Sequence, residues 1–311
     1  MRVFVAGATG VIGRRLVPML LAAGHQVTGM TRSSQRAQAL RDQGAESVIA
    51  DALDQAAVRD AVLAAEPEAV IHQLTSIPQR VNPRKIGRDF LLNDRLRSEG
   101  TRILVGAARE AGAQRIIAQS VAFIYAPGPA GTLHTEADRL LLDDAPSSFR
   151  RTARALNDLE STVLDADGTV LRYGYFYGPG TWLSPQGSVL ADVRRRRLPI
   201  VGDGGGTWSF IHIDDAARAT TQALGHDGPG VYNIVDDDPA LVRDWIPFLA
   251  EVVGAAKPRR VPMFLARLAG GEYAVTTMTR AQGASNTLAR EKLGWQPQHS
   301  SWREGFRAAL G

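Results

Sequence analysis

The chain has no cysteine, and only three of its 36 basic residues are lysines: Lys85, Lys257 and Lys292. The first absence removes disulfides, thiolate nucleophiles and thiolate metal sites together, so any catalysis must rest on oxygen and nitrogen groups. The second leaves no ammonium group anywhere between Lys85 and Lys257. No stretch approaches the roughly 18 apolar residues of a membrane helix. The first strand is expected to start at Arg2, which leaves no room for a signal peptide. A cytoplasmic protein with no membrane partner is the expectation. The net charge is +4, but the 32 acidic residues are interspersed with the basic ones, which argues against nucleic acid as a partner. No His and carboxylate share i, i+4 spacing within a segment read as helix, so no metal is expected.

What is present is an alternation. RVFVAG, QVTGMT, ESVIA, EAVIHQL, QRIIAQS and GTVLRYG are short apolar, β-branched runs separated by amphipathic stretches such as SSQRAQALRDQG and QAAVRDAVLAA. The former predict strands and the latter helices. Such a pattern implies an α/β fold, a doubly wound parallel sheet of the Rossmann type. Residues 1–178 are expected to form the dinucleotide-binding part, with return segments over about 208–236. Residues 179–311 are expected to form a smaller, mainly helical lobe over the carboxyl ends of the strands, where open α/β sheets place ligands.

Between the first strand and first helix stands GATGVIG, with glycines at Gly7, Gly10 and Gly13. Side chains there would hold the backbone away from a pyrophosphate, whereas bare N–H groups at a helix start point at it. Thr9, Val11 and Ile12 belong to the same turn. An acid at the end of the second strand would favour NAD. The chain instead reads GMTRSS, and Arg32 between Thr31 and Ser33 offers a guanidinium suited to a 2′-phosphate. NADP(H) is therefore the expected cofactor. Asp51, followed by Ala52 and Leu53, is expected beside the adenine or as a helix cap, and Leu74 and Thr75 beside the fourth strand complete the groove.

Seven segments in order, GATGVIG, VIHQLTS, GTRILVGAAREAG, LRYGYFYGPG, VGDGGGTWSFIHIDDAARA, VYNIV and REKLGWQP, resemble those of extended short-chain dehydrogenase/reductases, the NAD-dependent epimerase/dehydratase group. The resemblance implies a catalytic Tyr-x-x-x-Lys pair on a helix and a Ser or Thr on the strand before it. The lysine would hold down the tyrosine pKa and touch the nicotinamide ribose, so that the phenol exchanges a proton while hydride moves. Here the helix reads SFRRTARALNDLESTVL. Matching Glu160 to the family's helix glutamate puts Thr152 and Leu156 in the Tyr and Lys places; matching Phe149 to the tyrosine puts Ala153 in the Lys place. Neither register supplies a lysine. In AQSVAFIYAP the Ser/Thr place falls on Val121, with Ser120 one residue earlier and on the opposite face of a regular strand. The resemblance also implies a homodimer through helices around residues 93–111 and 149–166.

Replacement groups are sought among the tyrosines. Tyr173, Tyr175 and Tyr177 alternate, so in an extended segment they share one face. Tyr173 and Tyr177 are expected at the cofactor. Tyr175 or Tyr125 is expected as proton donor, with Arg154 or Ser120 polarising the carbonyl; packing walls of an apolar pocket are the alternative for each ring. His72 is expected as a wall of the groove, and His212, Asp214 and Asp215 as a strand end and helix cap. His134 and Glu136 are second choices for acid/base work, and the run Arg194 to Arg197 reads as a solvated helix end. The resemblance places Trp208 where diphosphate-binding sugar enzymes carry Arg, which suggests a flatter, less charged substrate.

The first functional reading is an NADP(H)-dependent oxidoreductase acting on a carbonyl or alcohol of a small, partly apolar metabolite. An epimerase, dehydratase or lyase that uses the nicotinamide transiently or only structurally is the second, and a redox-inert NADP-binding protein the third.

Overall fold

The computed structural model describes residues 1–129 and 131–311. In chain order the first half comprises β1 (Arg2–Ala6), α1 (Gly13–Ala22), β2 (Gln26–Thr31), α2 (Ser34–Arg41), β3 (Glu46–Ile49), α3 (Gln55–Ala65), β4 (Ala69–His72), α4 (Ile86–Asp89), α5 (Leu91–Arg95), a π-helical turn over Leu96–Gly100, α6 (Thr101–Glu110) and β5 (Arg115–Val121). The second half comprises α7 (Arg150–Leu164), β6 (Thr169–Tyr173), β7 (Tyr175–Tyr177), α8 (Ser188–Arg194), β8 (Ile200–Val201), β9 (Thr207–Trp208), β10 (Phe210–His212), α9 (Ile213–Ala223), β11 (Gly230–Ile234), β12 (Ala240–Leu241), α10 (Val242–Val252), β13 (Arg260–Val261), α11 (Met263–Thr279), α12 (Thr287–Leu293) and α13 (Trp302–Leu310).

Seven strands form one parallel sheet in the order β11-β6-β5-β4-β1-β2-β3. This is the doubly wound arrangement expected from the alternation. Its inner strands read as near-continuous apolar runs because helices cover both faces: β4 and β6 are buried at every residue. One face packs Leu16, Val17 and Leu20 of α1 with Ala216 and Ala219 of α9. The other packs Val58, Val62, Leu104 and Leu159 from α3, α6 and α7. Leu16 and Leu20 are fully buried, so truncating either to alanine costs about 2–5 kcal/mol. The strand order reverses between β1 and β4, which opens a crevice at their carboxyl ends.

The three alternating tyrosines do not share one face. The chain leaves the large sheet at Gly174: β6 pairs with β5 and β11, while β7 pairs with β10 in a separate two-stranded sheet. Gly174 packs so closely on Ser209 that a Cβ there would lie 2.5 Å from the Ser209 carbonyl oxygen. Residues on either side of this break face different cores. Tyr173 joins the cluster under α1 and α9, and Tyr177 joins a cluster with Phe210, Trp245, Trp302 and Phe306.

Candidate functional site

The glycine turn is shaped by close backbone approach. Gly7 has φ of 89°, and a Cβ there would lie 2.5 Å from the Gln73 carbonyl oxygen; at Gly13 it would lie 2.3 Å from the carbonyl of Gly7. Any side chain at either position forces the turn apart. The Gly10 N–H closes the turn on the Gly7 carbonyl at 3.0 Å. Among the described residues the N–H groups of Val11 and Ile12 have no protein acceptor, α1 has no side-chain cap, and its first turn carries no acid. A turn without Cβ atoms and with open amides fits a dinucleotide pyrophosphate.

One strand over, the side chain of Arg32 is 63% exposed, and its nearest acid, Asp51, lies 4.0 Å away. Ser33 caps α2, accepting from the Arg36 N–H at 3.3 Å. Thr31 Oγ1 lies 3.4 Å from Thr9 Oγ1, linking this strand end to the glycine turn. Asp51 accepts from the Leu53 N–H at 2.9 Å, while Asp54 caps α3. Ala52 and Leu53 pack into the core beneath. The Leu74 N–H donates to His72 Nδ1 at 3.2 Å, which leaves His72 Nε2–H to donate to Thr101 Oγ1 at 2.9 Å. Burial lowers the His72 pKa to about 4. It is neutral and fully buried, beneath the surface that Leu74 and Thr75 reach.

Ser120 is turned away from acid/base work. Its hydroxyl donates to Glu160 Oε1 at 2.5 Å, and Glu160 holds Arg172 through Nε at 3.0 Å and Nη2 at 2.6 Å. Arg172 also donates to the Tyr125 hydroxyl at 2.8 Å, and that hydroxyl donates to Asn233 Oδ1 at 2.7 Å. Glu136 accepts from the Asn233 N–H at 2.7 Å. Burial works against the Arg172 charge, yet the hydrogen bonds and attraction of Glu160 outweigh it and raise its pKa. Burial also pushes the Tyr125 phenol up to about 12, against the pull of Arg172. Both hydrogen-bonding roles of that hydroxyl are occupied. His134 stacks on Tyr125, ring centroids 4.7 Å apart, and lies 3.6 Å from Asp138 across a turn. These residues form a polar core rather than a catalytic face.

Three further expectations are corrected, and the expected strand end and helix cap at His212 is found with its ring, not an aspartate, as the cap. Arg154 stands on the exposed flank of α7, 3.5 Å from Asp143, and is not among the residues that wall the Tyr175 cleft. Tyr173 is fully buried with its hydroxyl 2.7 Å from Thr220 Oγ1, and Tyr177 is edge-on to Phe306; both lie in packed cores, not at the groove. The cap of α9 is the His212 ring, accepting from the Asp214 N–H at 3.3 Å. Asp215, fully buried, instead accepts from the N–H groups of Gln298 and His299 and so ties down the C-terminal segment.

Tyr175 does border a cleft. It is sandwiched between Phe123, at 4.4 Å, and Trp208, at 3.9 Å between centroids. A small cavity of about 20 Å³ opens there, walled by these three rings with Tyr125, Ser209 and Gln282. Trp208 is fixed by its Nε1–H, which donates to the Thr277 carbonyl at 2.9 Å. The places for the usual pair are otherwise filled: Thr152 donates to Asp94 Oδ2 at 3.2 Å, and Leu156 is fully buried in one apolar cluster with Val121 and Phe149. One polar residue against that cluster escaped the sequence reading, Tyr273 on α11, which stacks on Phe149 with ring centroids 4.3 Å apart. No motif marks it; only the fold brings it there. No group of three potential metal ligands occurs among the described residues.

Comparison with known proteins agrees with this architecture. The sequence profile of the NAD dependent epimerase/dehydratase family matches residues 3–235. A 3-diazoavenalumate denitrifying reductase from Streptomyces sp is 44% identical over 98% of this chain and 99% of its own length. A UDP-glucose 4-epimerase from Mycolicibacterium smegmatis is 29% identical over 96% of this chain and 94% of its own. Among solved structures, a UDP-glucose 4-epimerase from Thermotoga maritima superposes with a TM-score of 0.77 at 22% identity, covering 99% of this chain and 97% of that one. A human epimerase family protein with NADPH superposes at 0.75 and 20% identity, covering 99% of each. Glycine turn, sheet order and sequence profile thus converge: the chain is an enzyme of the NAD-dependent epimerase/dehydratase family.

Proposed function

We propose that the protein is an NADP(H)-dependent reductase that delivers hydride to the carbonyl carbon of a small, flat, partly apolar metabolite. The observation that carries the cofactor preference is the open glycine turn with the Arg32 guanidinium one strand away, free of any hydrogen bond among the described residues. In this reading the Val11 and Ile12 amides hold the pyrophosphate, and Arg32 with Thr31 and Ser33 holds the ribose phosphate. The nicotinamide supplies hydride when bound. Tyr175, Phe123 and Trp208 give the acceptor an apolar wall, and the ring of Trp208 makes a poor seat for a diphosphate. The reductive direction is supported by the relative at 44% identity, itself a reductase.

A second acceptor is favoured by that relative's name, which carries a diazo acid. An aryl diazonium group is flat and becomes a C–H bond and dinitrogen on gaining one hydride, with no separate proton required. Fluorescence titration with NADPH and NADH tests the cofactor, and NADPH oxidation with ketones, aldehydes and an aryl diazo acid tests the acceptor. Tight NADPH binding with no oxidation by any of them overturns the reductase reading.

A further inference from the structure

The first two turns of α11 bury one residue, Ala266. Phe264 and Leu268 stand two positions to either side of it and so point away from the body of the protein. They are 62% and 69% exposed, with Met263 beside them at 50%. Single apolar side chains on a surface are ordinary, but several on adjoining turns form a patch, and patches mark interaction surfaces.

The ground around this patch is basic. Segments 193–201 and 254–268 together hold eight cations and no acid. The fold joins them: β8 and β13 pair Ile200 with Arg260, and the Arg196 guanidinium donates to the Lys257 carbonyl at 3.0 Å. Directly after β8, a Cβ on Gly202 would lie 3.1 Å from Met263 Cγ. A further cation, Arg84, donates to the Leu268 carbonyl. Arg194 to Arg197, Lys257, Arg259 and Arg260 are exposed, and none has an ion pair among the described residues. The one acid of α8, Asp192, and the one acid of α11, Glu272, are already held by Arg80 and Arg267.

A second copy of the chain is a poor occupant, because a self-complementary contact through this face would set like charges against each other. Nucleic acid would engage the cations and leave Met263 and Leu268 without a role. A bilayer with anionic headgroups answers both features, since phosphates meet the arginines while apolar side chains enter the acyl boundary.

We propose that this face docks on an anionic lipid surface, with Phe264 and Leu268 below the headgroups and the two basic segments among the phosphates. The run Arg194 to Arg197, expected as a solvated helix end, is then half of that surface. The expectation of no membrane partner rested on the lack of a spanning segment and did not reach a surface built from two segments. The inference is independent of the reductase reading.

Because the chain has no cysteine, F264C carries a single environment-sensitive dye. The full chain is mixed with vesicles of phosphatidylcholine alone, and of phosphatidylcholine with equal phosphatidylglycerol. The expected result is co-sedimentation with the anionic vesicles only, a blue shift of the dye on binding, and release as salt rises from about 50 mM to about 500 mM. R195Q with R197Q weakens binding about 30-fold, and F264S with L268S about tenfold or more; the melting temperature of each shows that the fold is kept. Wild-type protein left in the supernatant, a dye that stays in water on binding, or unchanged binding by F264S with L268S overturns the proposal. Duplex DNA that displaces the vesicles and binds as tightly, or self-association lost in the same variants, overturns lipid as the occupant.

Discussion

Tyr175 and Trp208 lie face to face, ring centroids 3.9 Å apart and planes inclined by 16°. The contact joins β7 to β9 and gives the cleft a flat wall. Trp208→Ala removes that wall and about 0.5–1.5 kcal/mol of stacking beyond area burial. The expected outcome is a KM for planar acceptors raised about tenfold, with NADPH affinity unchanged in fluorescence titration. A loss confined to kcat would mean that the indole does not seat the substrate.

Arg32 is expected to discriminate between cofactors. Arg32→Ala removes a charge-assisted contact to a ribose phosphate and weakens NADPH binding by about 10- to 100-fold, leaving NADH affinity nearly as it was. Calorimetric titration of both cofactors checks this, and equal losses for the two would place the guanidinium elsewhere on the dinucleotide.

The Glu160 and Arg172 side chains are each 5% exposed. Glu160→Ala strands a buried guanidinium, and breaking such a pair costs about 3–5 kcal/mol. Urea denaturation should show this loss, while the double change Glu160→Leu with Arg172→Met should recover most of it. If the single and double variants are equally unstable, the network is held by Ser120 and Tyr125 rather than by the ion pair.

His72 makes stability depend on pH in a defined sense. Burial lowers its folded pKa to about 4, against about 6.5 in an unfolded chain. A base with a depressed folded pKa contributes stability at high pH that is lost as pH falls from about 6.5 toward about 4, because the unfolded state takes up the proton first. The full difference is on the order of 3 kcal/mol. His72→Gln, compared with wild type by urea denaturation across this window, should flatten that part of the profile. An unchanged slope would show that the ring titrates normally.

The parallel sheet and the glycine turn were legible because each rests on local pattern: continuous apolar runs, spaced amphipathic segments, and glycines where backbones meet. The tyrosine trio was misread for a local reason as well. Period-two alternation holds only within one strand, and contact with Ser209 moves the chain to another sheet at Gly174. Ser120, Glu160 and Arg172 meet across separations of 40 and 12 residues, and nothing near Ser120 announces its partner. Phe149 and Tyr273 are further apart still, and their stacking depends on the path of α11.

The apolar filling around Leu156 limits what charge this helix can carry. Installing the customary residues as Thr152→Tyr with Leu156→Lys would set an ammonium among Ile124, Phe149 and Ala153, where desolvation drives it to shed its proton, and would sever Thr152 from Asp94. Two substitutions therefore do not set a charged ammonium beside a phenol at this place. Packing around the helix, rather than the identity of two side chains, decides which charges this place can hold.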